Sequence, residues 1–213
     1  MENFHELLCL VSIGSTWFNR ELIAQLDRWA KESHYLIRYI ILSEPERHNI
    51  EVFEGVSEAE SAALAGKRAI ACQHSLGLSD AAMLSWEEVR PRVGFEEAYK
   101  KVMNCYTTNK SFQRHCLSQT FSNLQPRFLQ HGVRKKSDAK VRKSVFYLLE
   151  ELAIKVGAFE TGAFVGEVLP HKEMDVTNAI YSGAYFECPV SRKGFNVFSL
   201  TADGIARVHY PQP

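Results

Sequence analysis

The 213-residue chain has no apolar run approaching the roughly 18 residues that a membrane-spanning helix requires, so no membrane partner is expected. It has no excess of either charge: 25 Lys and Arg stand against 25 Asp and Glu. A global basic field for nucleic acid is therefore absent. DNA binding is not expected, and any RNA contact must come from a local patch. Paired cysteines are lacking too. Cys9, Cys72, Cys105, Cys116 and Cys188 are odd in number and none forms a C-x-x-C, which argues against a disulfide framework and a zinc ribbon and points to free thiols in a reducing, cytoplasmic setting. The eight histidines show no H-E-x-x-H or other ligand spacing, so no metal is expected. The start, Met1-Glu2-Asn3, lacks the basic segment of a secretory leader, so none is expected. There is no G-x-G-x-x-G, no P-loop and, since residue 10 is Leu, no G-x-S-x-G elbow around Ser12.

What is present is a globular composition, 46% hydrophobic and 11% aromatic, enough for one domain over 1–213. Residues 6–13 form a short continuous apolar run, the pattern of a strand buried on both faces. Trp17, Leu22, Ile23, Leu26 and Trp29 then recur at helical spacing, and residues 35–42 make a second buried strand. Strand, helix and strand in so short a span predict a βαβ unit. Residues 43–49 read as a polar loop, 57–76 as a helix opened by a Ser57/Glu60 capping box, and 81–88 as a short third strand. From 95 to 156 the pattern is helical, broken near Gln125-Pro126 and His131-Gly132. Strands are expected over 163–169, 179–186, 195–200 and 205–210. The predicted fold is α/β: a Rossmann-like three-layer arrangement, its central sheet mostly parallel with helices on both faces.

In open α/β sheets ligands bind at the carboxyl ends of strands, which directs attention to Ser12-Ile13-Gly14-Ser15-Thr16. Ser12 there is a strand-end cap or a nucleophile. Tyr147 and Glu151 lie four apart on one helical face, as a surface pair or as a phenol and carboxylate that hold an ammonium group. The run 134–143 carries six basic residues and one acid. It is a solvated face unless one helix covers both it and the Tyr/Glu pair. In that case Lys136, Lys140 and Lys143 form a cationic strip leading toward Tyr147 and Glu151, suited to a substrate with phosphates at one end and an ammonium at the other.

Taken together these segments resemble the tRNA-dependent cyclodipeptide synthases, over roughly residues 6 to 190. Leu10-Val-Ser12-Ile-Gly-Ser-Thr-Trp-Phe18 looks like the strand and turn that carry the family's serine. Ile41-Leu-Ser-Glu-Pro-Glu-Arg-His-Asn-Ile-Glu51 is similar to its second block, and Tyr147 through Glu151 to its Y-x-x-x-E helix. The resemblance implies a Rossmann-like fold related to class I aminoacyl-tRNA synthetases. No cofactor is implied, and neither a HIGH-type nor a KMSKS-type motif is found. It implies two aminoacyl-tRNAs as substrates: an aminoacyl group passes to Ser12, a second aminoacyl-tRNA reacts with that acyl-enzyme, and the dipeptidyl-enzyme cyclises to a diketopiperazine. Tyr147 and Glu151 would grip the α-ammonium, and Ser15 would take a position where many members have Asn. The family's basic residues on the 57–76 helix are reduced here to Lys67 and Arg68. Members carry a tyrosine followed by His or Pro beyond the Y-x-x-x-E helix. In Glu167-Val-Leu-Pro-His171 the histidine fits as a substrate contact, but Leu169 or Pro170 replaces the tyrosine, leaving Tyr181 or Tyr185 to supply a phenol. That departure leaves room for a relative that releases linear dipeptide. A non-catalytic Rossmann-like aminoacyl-tRNA-binding protein would keep the basic strip and use Ser12 only for packing.

Overall fold

The computed structural model describes residues 5–15, 17–169, 175–186, 194–201 and 204–209. Strand β1 (His5–Val11), helix α1 (Arg20–Glu32) and strand β2 (Tyr35–Ile41) form the expected βαβ unit, with β1 and β2 parallel from His5↔Tyr35 to Val11↔Ile41. After β2 come α2 (Ser43–Glu54), α3 (Glu58–Leu76), a single 3-10 turn at Asp80–Ala82, α4 (Trp86–Arg92), α5 (Phe95–Thr108), α6 (Lys110–Asn123), α7 (Gln125–Gln130) and the long α8 (Ala139–Thr161). The chain re-enters the sheet with β3 (Gly166–Leu169), passes through α9 (Asp175–Tyr181), and ends in β4 (Asn196–Thr201) and β5 (Gly204–Val208). The sheet order is β2-β1-β3-β4-β5, parallel except for the β4–β5 pair.

Alternation along the strands splits the core into two layers. Leu7, Cys9 and Val11 of β1 pack with Leu22, Ile23 and Leu26 of α1 on one face. Leu8 and Leu10 face the other, against Leu148, Leu149 and Leu152 of α8 and Val102 of α5. The sheet is thus covered on both sides, and the mostly parallel three-layer architecture read from the sequence is the one observed. Among the described residues no helix is long and apolar enough to cross a membrane.

Three local expectations are corrected. Residues 43–49, read as a polar loop, are the first half of α2. Pro45 is tolerated because it sits in the first turn, and Glu46 and Asn49, which made the segment look solvated, are buried. Residues 81–88 hold no strand: the Asp80–Ala82 turn, an isolated Tyr39↔Met83 bridge and the start of α4 replace it, with Ser85 and Glu88 closing a capping box. Residues 179–186, read as a strand, continue α9 through Tyr181 and then turn. A short apolar run does not by itself distinguish the two. The expected β3, in contrast, does pair with β1, through Leu7↔Gly166 and Leu8↔Glu167. Gly166 is required there, because a Cβ would stand 2.2 Å from the Asn196 carbonyl oxygen of the next strand.

An ion cluster ties the amino-terminal end of β1 to its neighbours. Glu6 pairs with Arg38 of β2 at 2.6 Å and with Arg92 of α4, whose guanidinium also donates to the Ala163 carbonyl at 2.9 Å. Burial raises the Glu6 pKa, but the two guanidiniums outweigh it and hold the carboxyl below its ordinary value. A depressed folded pKa contributes stability above the unfolded value, and that stability is lost as pH falls through the folded pKa. Glu6→Gln is therefore expected to cost about 1 kcal/mol near neutrality, the scale of a partly exposed charge-assisted pair. The cost should shrink as pH drops below about 4. Denaturant unfolding across pH checks this; a deficit that is constant with pH would contradict it.

Candidate active site

Ser12 follows the last residue of β1, where the chain leaves the sheet in a turn closed by Ser15 N–H donating to the Ser12 carbonyl at 3.2 Å. Gly14 takes φ 76°, a conformation that costs glycine little and other residues more. The Ser15 hydroxyl accepts from the Trp17 N–H at 3.3 Å. The cap of α1 is Asn19, whose side chain accepts from Leu22 N–H at 2.8 Å. Ser12 and Ser15 line a cavity of about 670 Å³, within the range that encloses a drug-sized ligand.

One face of α8 forms the opposite wall. Ser144, Tyr147, Leu148, Glu151 and Lys155 follow helical spacing and all line the cavity, a strip roughly 16 Å long at 1.5 Å per residue. The Tyr147 hydroxyl donates to Ser12 Oγ at 2.7 Å. Burial is the main cause that lifts the Tyr147 pKa, the Glu151 charge adds to it, and the phenol is therefore a hydrogen-bond donor at neutral pH. Glu151 is buried, and burial raises its pKa as well; the Lys155 ammonium pulls in the opposite direction and Glu167 adds to the rise. The adjacent Glu150 has a different task, accepting from Arg47 at 2.8 Å and pairing with His48 at 3.0 Å on α2.

The expected residues are thus partly assembled. Ser12, Ser15, Tyr147 and Glu151 share the cavity. His171 lies outside the described residues. Of the two candidate phenols, Tyr181 donates to Glu167 at the cavity floor, whereas Tyr185 hydrogen-bonds His115 at 3.0 Å and packs on Phe112, in the helical layer. The basic run is not one helical strip: α8 begins at Ala139 with Asp138 as its cap, so Lys136 precedes the helix. Lys136 donates to Ser118 at 2.7 Å, Lys140 is half-buried, and Lys143 pairs with Glu51 at 2.5 Å. On α3, Lys67 is exposed and Arg68 grips Glu54 through two bonds of 2.7 and 3.0 Å.

Sequence reasoning missed the floor of the cavity. Lys155 contacts Glu167 directly and stands 3.7 Å from Glu151. Glu167, fully buried on β3, also accepts from Tyr181. The signal was available: a lysine within the apolar stretch 152–159 and a glutamate within an apolar strand are rarely buried without partners. Removing one partner leaves an uncompensated buried charge. Lys155→Met, which sets two buried carboxylates side by side, is expected to destabilise the protein by about 3–5 kcal/mol. Combining it with Glu167→Leu should restore most of that. A double variant no more stable than Lys155→Met in denaturant unfolding would show that the ion pair is not what holds the floor.

No family model matches the sequence, and no curated protein matches it. Solved structures do. The fold superposes on a CDPS from Fluoribacter dumoffii with a TM-score of 0.74 at 18% identity, covering 97% of this chain and 91% of that one. A cyclodipeptide synthase from Bacillus thermoamylovorans gives 0.67 at 14% identity, covering 98% of this chain and 91% of that one. The Mycobacterium tuberculosis protein Rv2275, whose structure relates cyclodipeptide synthetases to type I tRNA-synthetases, gives 0.64 at 13% identity, covering 91% of this chain and 84% of that one. With Ser12 directly after β1, α8 carrying Tyr147 and Glu151, and the sheet order described above, the chain has the fold of the cyclodipeptide synthases.

Proposed function

We propose that this chain is a cyclodipeptide synthase: an aminoacyltransferase, formed as one catalytic domain, that joins the aminoacyl groups of two aminoacyl-tRNAs into a diketopiperazine. The observation that carries the reading is the Tyr147 phenol hydrogen-bonded to Ser12 Oγ inside a cavity that also holds Glu151. The neighbours that share the fold, among them the CDPS from Fluoribacter dumoffii and the cyclodipeptide synthase from Bacillus thermoamylovorans, support it.

Ser12 Oγ attacks the ester carbonyl of the first aminoacyl-tRNA. The bond from that carbonyl to the ribose oxygen breaks, and the serine proton passes to the released oxygen. An aminoacyl ester is already activated, so the step needs no ATP. Tyr147, protonated, fixes the direction of the Ser12 lone pairs and does not act as the base. Glu151 holds the α-ammonium by a charge-assisted bond. Its raised pKa also suits it to take a proton from that ammonium, which must be neutral to attack. The seryl-bound amine then attacks the ester of the second aminoacyl-tRNA; the carbonyl–ribose bond breaks, the proton lost by nitrogen passes to the released ribose oxygen, and the second tRNA leaves a dipeptidyl ester on Ser12. The terminal amine attacks this ester, the ring closes, and the proton lost by nitrogen returns to Ser12 Oγ. Holding the reacting atoms in one cavity supplies several kcal/mol of the barrier by orientation alone. Lys136, Lys140 and Lys67 meet tRNA phosphates in this reading. Lys143 and Arg68 contribute after exchanging their carboxylate partners for phosphate.

Expression in a bacterial host is expected to release diketopiperazines into the medium, detected by mass spectrometry. Ser12→Ala should abolish them while costing only about 1 kcal/mol of stability, the value of one hydrogen bond. Product from Ser12→Ala at the parent rate would refute the nucleophile, and linear dipeptides in place of rings would refute the cyclisation step. Each lysine that meets a phosphate should add about 0.7–0.9 to the slope of log affinity against log salt. Replacing Lys136 and Lys140 with Ala should flatten that slope in tRNA-binding titrations; an unchanged slope would assign both to solvent.

A further inference from the structure

Lys155 and Glu167 form an ion pair that the reaction described above does not use. Both are buried, at 2% and 0% exposure. Packed apolar groups would serve stability there as well or better, so the pair calls for another explanation. Its place supplies one. Lys155 lies one turn of α8 after Glu151 on the same helical face, with Nζ 3.7 Å from a Glu151 carboxylate oxygen and in direct contact with Glu167. Glu167 is fixed: it stands on β3, the middle strand of the sheet, in register with Leu8 of β1 and Val197 of β4, and its second carboxylate oxygen accepts from Tyr181. Tyr181 is itself packed between Phe159 and Phe195. One ammonium on a long side chain is thus shared, closely with one carboxylate and loosely with another. With both acids ionised the three groups carry one net negative charge, the match for a single incoming ammonium.

We infer that Lys155 is a positioning residue for Glu151: anchored by Glu167 and Tyr181, its ammonium keeps the Glu151 carboxylate ionised and in place for the α-ammonium of the aminoacyl group. The inference rests on the cyclodipeptide-synthase reading for its substrate, though not for its electrostatics. Without the lysine, burial would favour a protonated Glu151, and a neutral carboxyl holds an ammonium less firmly than a carboxylate does. Glu167 sets the opposite limit. It draws the lysine to itself, so that Glu151 is left open to the substrate instead of being matched by an internal cation. The surrounding titratable groups leave this balance to the three. Burial pushes up Tyr147 on α8 and Cys9 on β1, which stay neutral, and Tyr181 on α9 donates to Glu167. Glu46 on α2 faces Arg127 of α7, and Glu150 is paired with Arg47 and His48.

The test follows the Glu151 carboxyl by 13C NMR titration of the unliganded protein, its signal assigned by its loss in Glu151→Gln. In parallel it follows the pH dependence of Ser12 acylation, by intact mass, with the aminoacyl-tRNA that acylates the parent. Two variants push in opposite directions. Glu167→Gln keeps an acceptor for Tyr181 and leaves Lys155 a single carboxylate to pair with. The Glu151 midpoint and the acid limb of acylation should then fall by about one pH unit or more. Lys155→Met combined with Glu167→Leu removes the ammonium without stranding a buried charge beside it. Burial raises the Glu151 pKa and the Lys155 pull opposes it more strongly than Glu167 adds to it, so here midpoint and limb should rise, again by about one pH unit or more. A purely structural pair moves neither midpoint or moves both the same way, and either result would overturn the inference. So would midpoints that shift while the acylation limb stays where it is. If the parent forms no Ser12 ester with any aminoacyl-tRNA, the synthase reading falls, and the titration, which needs no substrate, still decides whether Lys155 governs Glu151.

Discussion

The hydrogen bond from Tyr147 to Ser12 joins the two parts of the molecule on which the rest of the site depends. Ser12 stands where β1 leaves the sheet, and Tyr147 is carried by the helix that covers one face of that sheet. The contact fixes the end of β1 against α8, so that the face of α8 running from Ser144 to Lys155 lines the cavity opposite the serine turn. It also fixes what the groups can do. A phenol whose pKa is pushed up by burial and by the Glu151 charge donates to a hydroxyl and does not deprotonate it. In the proposed reaction the proton of Ser12 is therefore left for the substrate's own leaving oxygen.

The same cavity carries unusual polar burial, and its electrostatics are balanced locally. Glu167 is neutralised by Lys155 and tied to Tyr181, Glu46 faces Arg127, and Glu150 is held by Arg47 and His48 where α2 packs on α8. The looser cases are Glu46, whose Arg127 stands 3.6 Å away and whose pKa burial raises, and Glu151. The lysine of Glu151 stands at 3.7 Å, and burial with the nearby Glu167 charge raises its pKa. The structure spends stability on this arrangement, since replacing buried ion pairs with packed apolar groups is often neutral or favourable.

Much of this was legible in the sequence where local pattern and tertiary role agree. The buried strands β1, β2 and β3, the α1 periodicity, the Ser57 capping box and the Tyr147/Glu151 spacing are such places. The reading failed where function reverses the usual link between polarity and exposure. Residues 43–49 look like a loop because they carry Glu46, Arg47, His48 and Asn49, yet these side chains point to the cavity wall and to Glu150, and the backbone is helical. Lys155 and Glu167 were passed over because each sits in an apolar run, and only the fold shows that they neutralise each other. The basic run was left as a solvated face or, if one helix covered it, a helical strip, because spacing cannot show that Asp138 caps α8 after Lys136.

The central claim is that Ser12 becomes covalently acylated within this cavity. The most direct measurement is intact-mass spectrometry of the protein mixed with a single aminoacyl-tRNA, followed by peptide mapping of the adduct. The account predicts a mass gain of one aminoacyl group, located on the peptide containing Ser12 and removed by mild base as an ester is. No adduct, or an adduct mapped to any other residue, would contradict it.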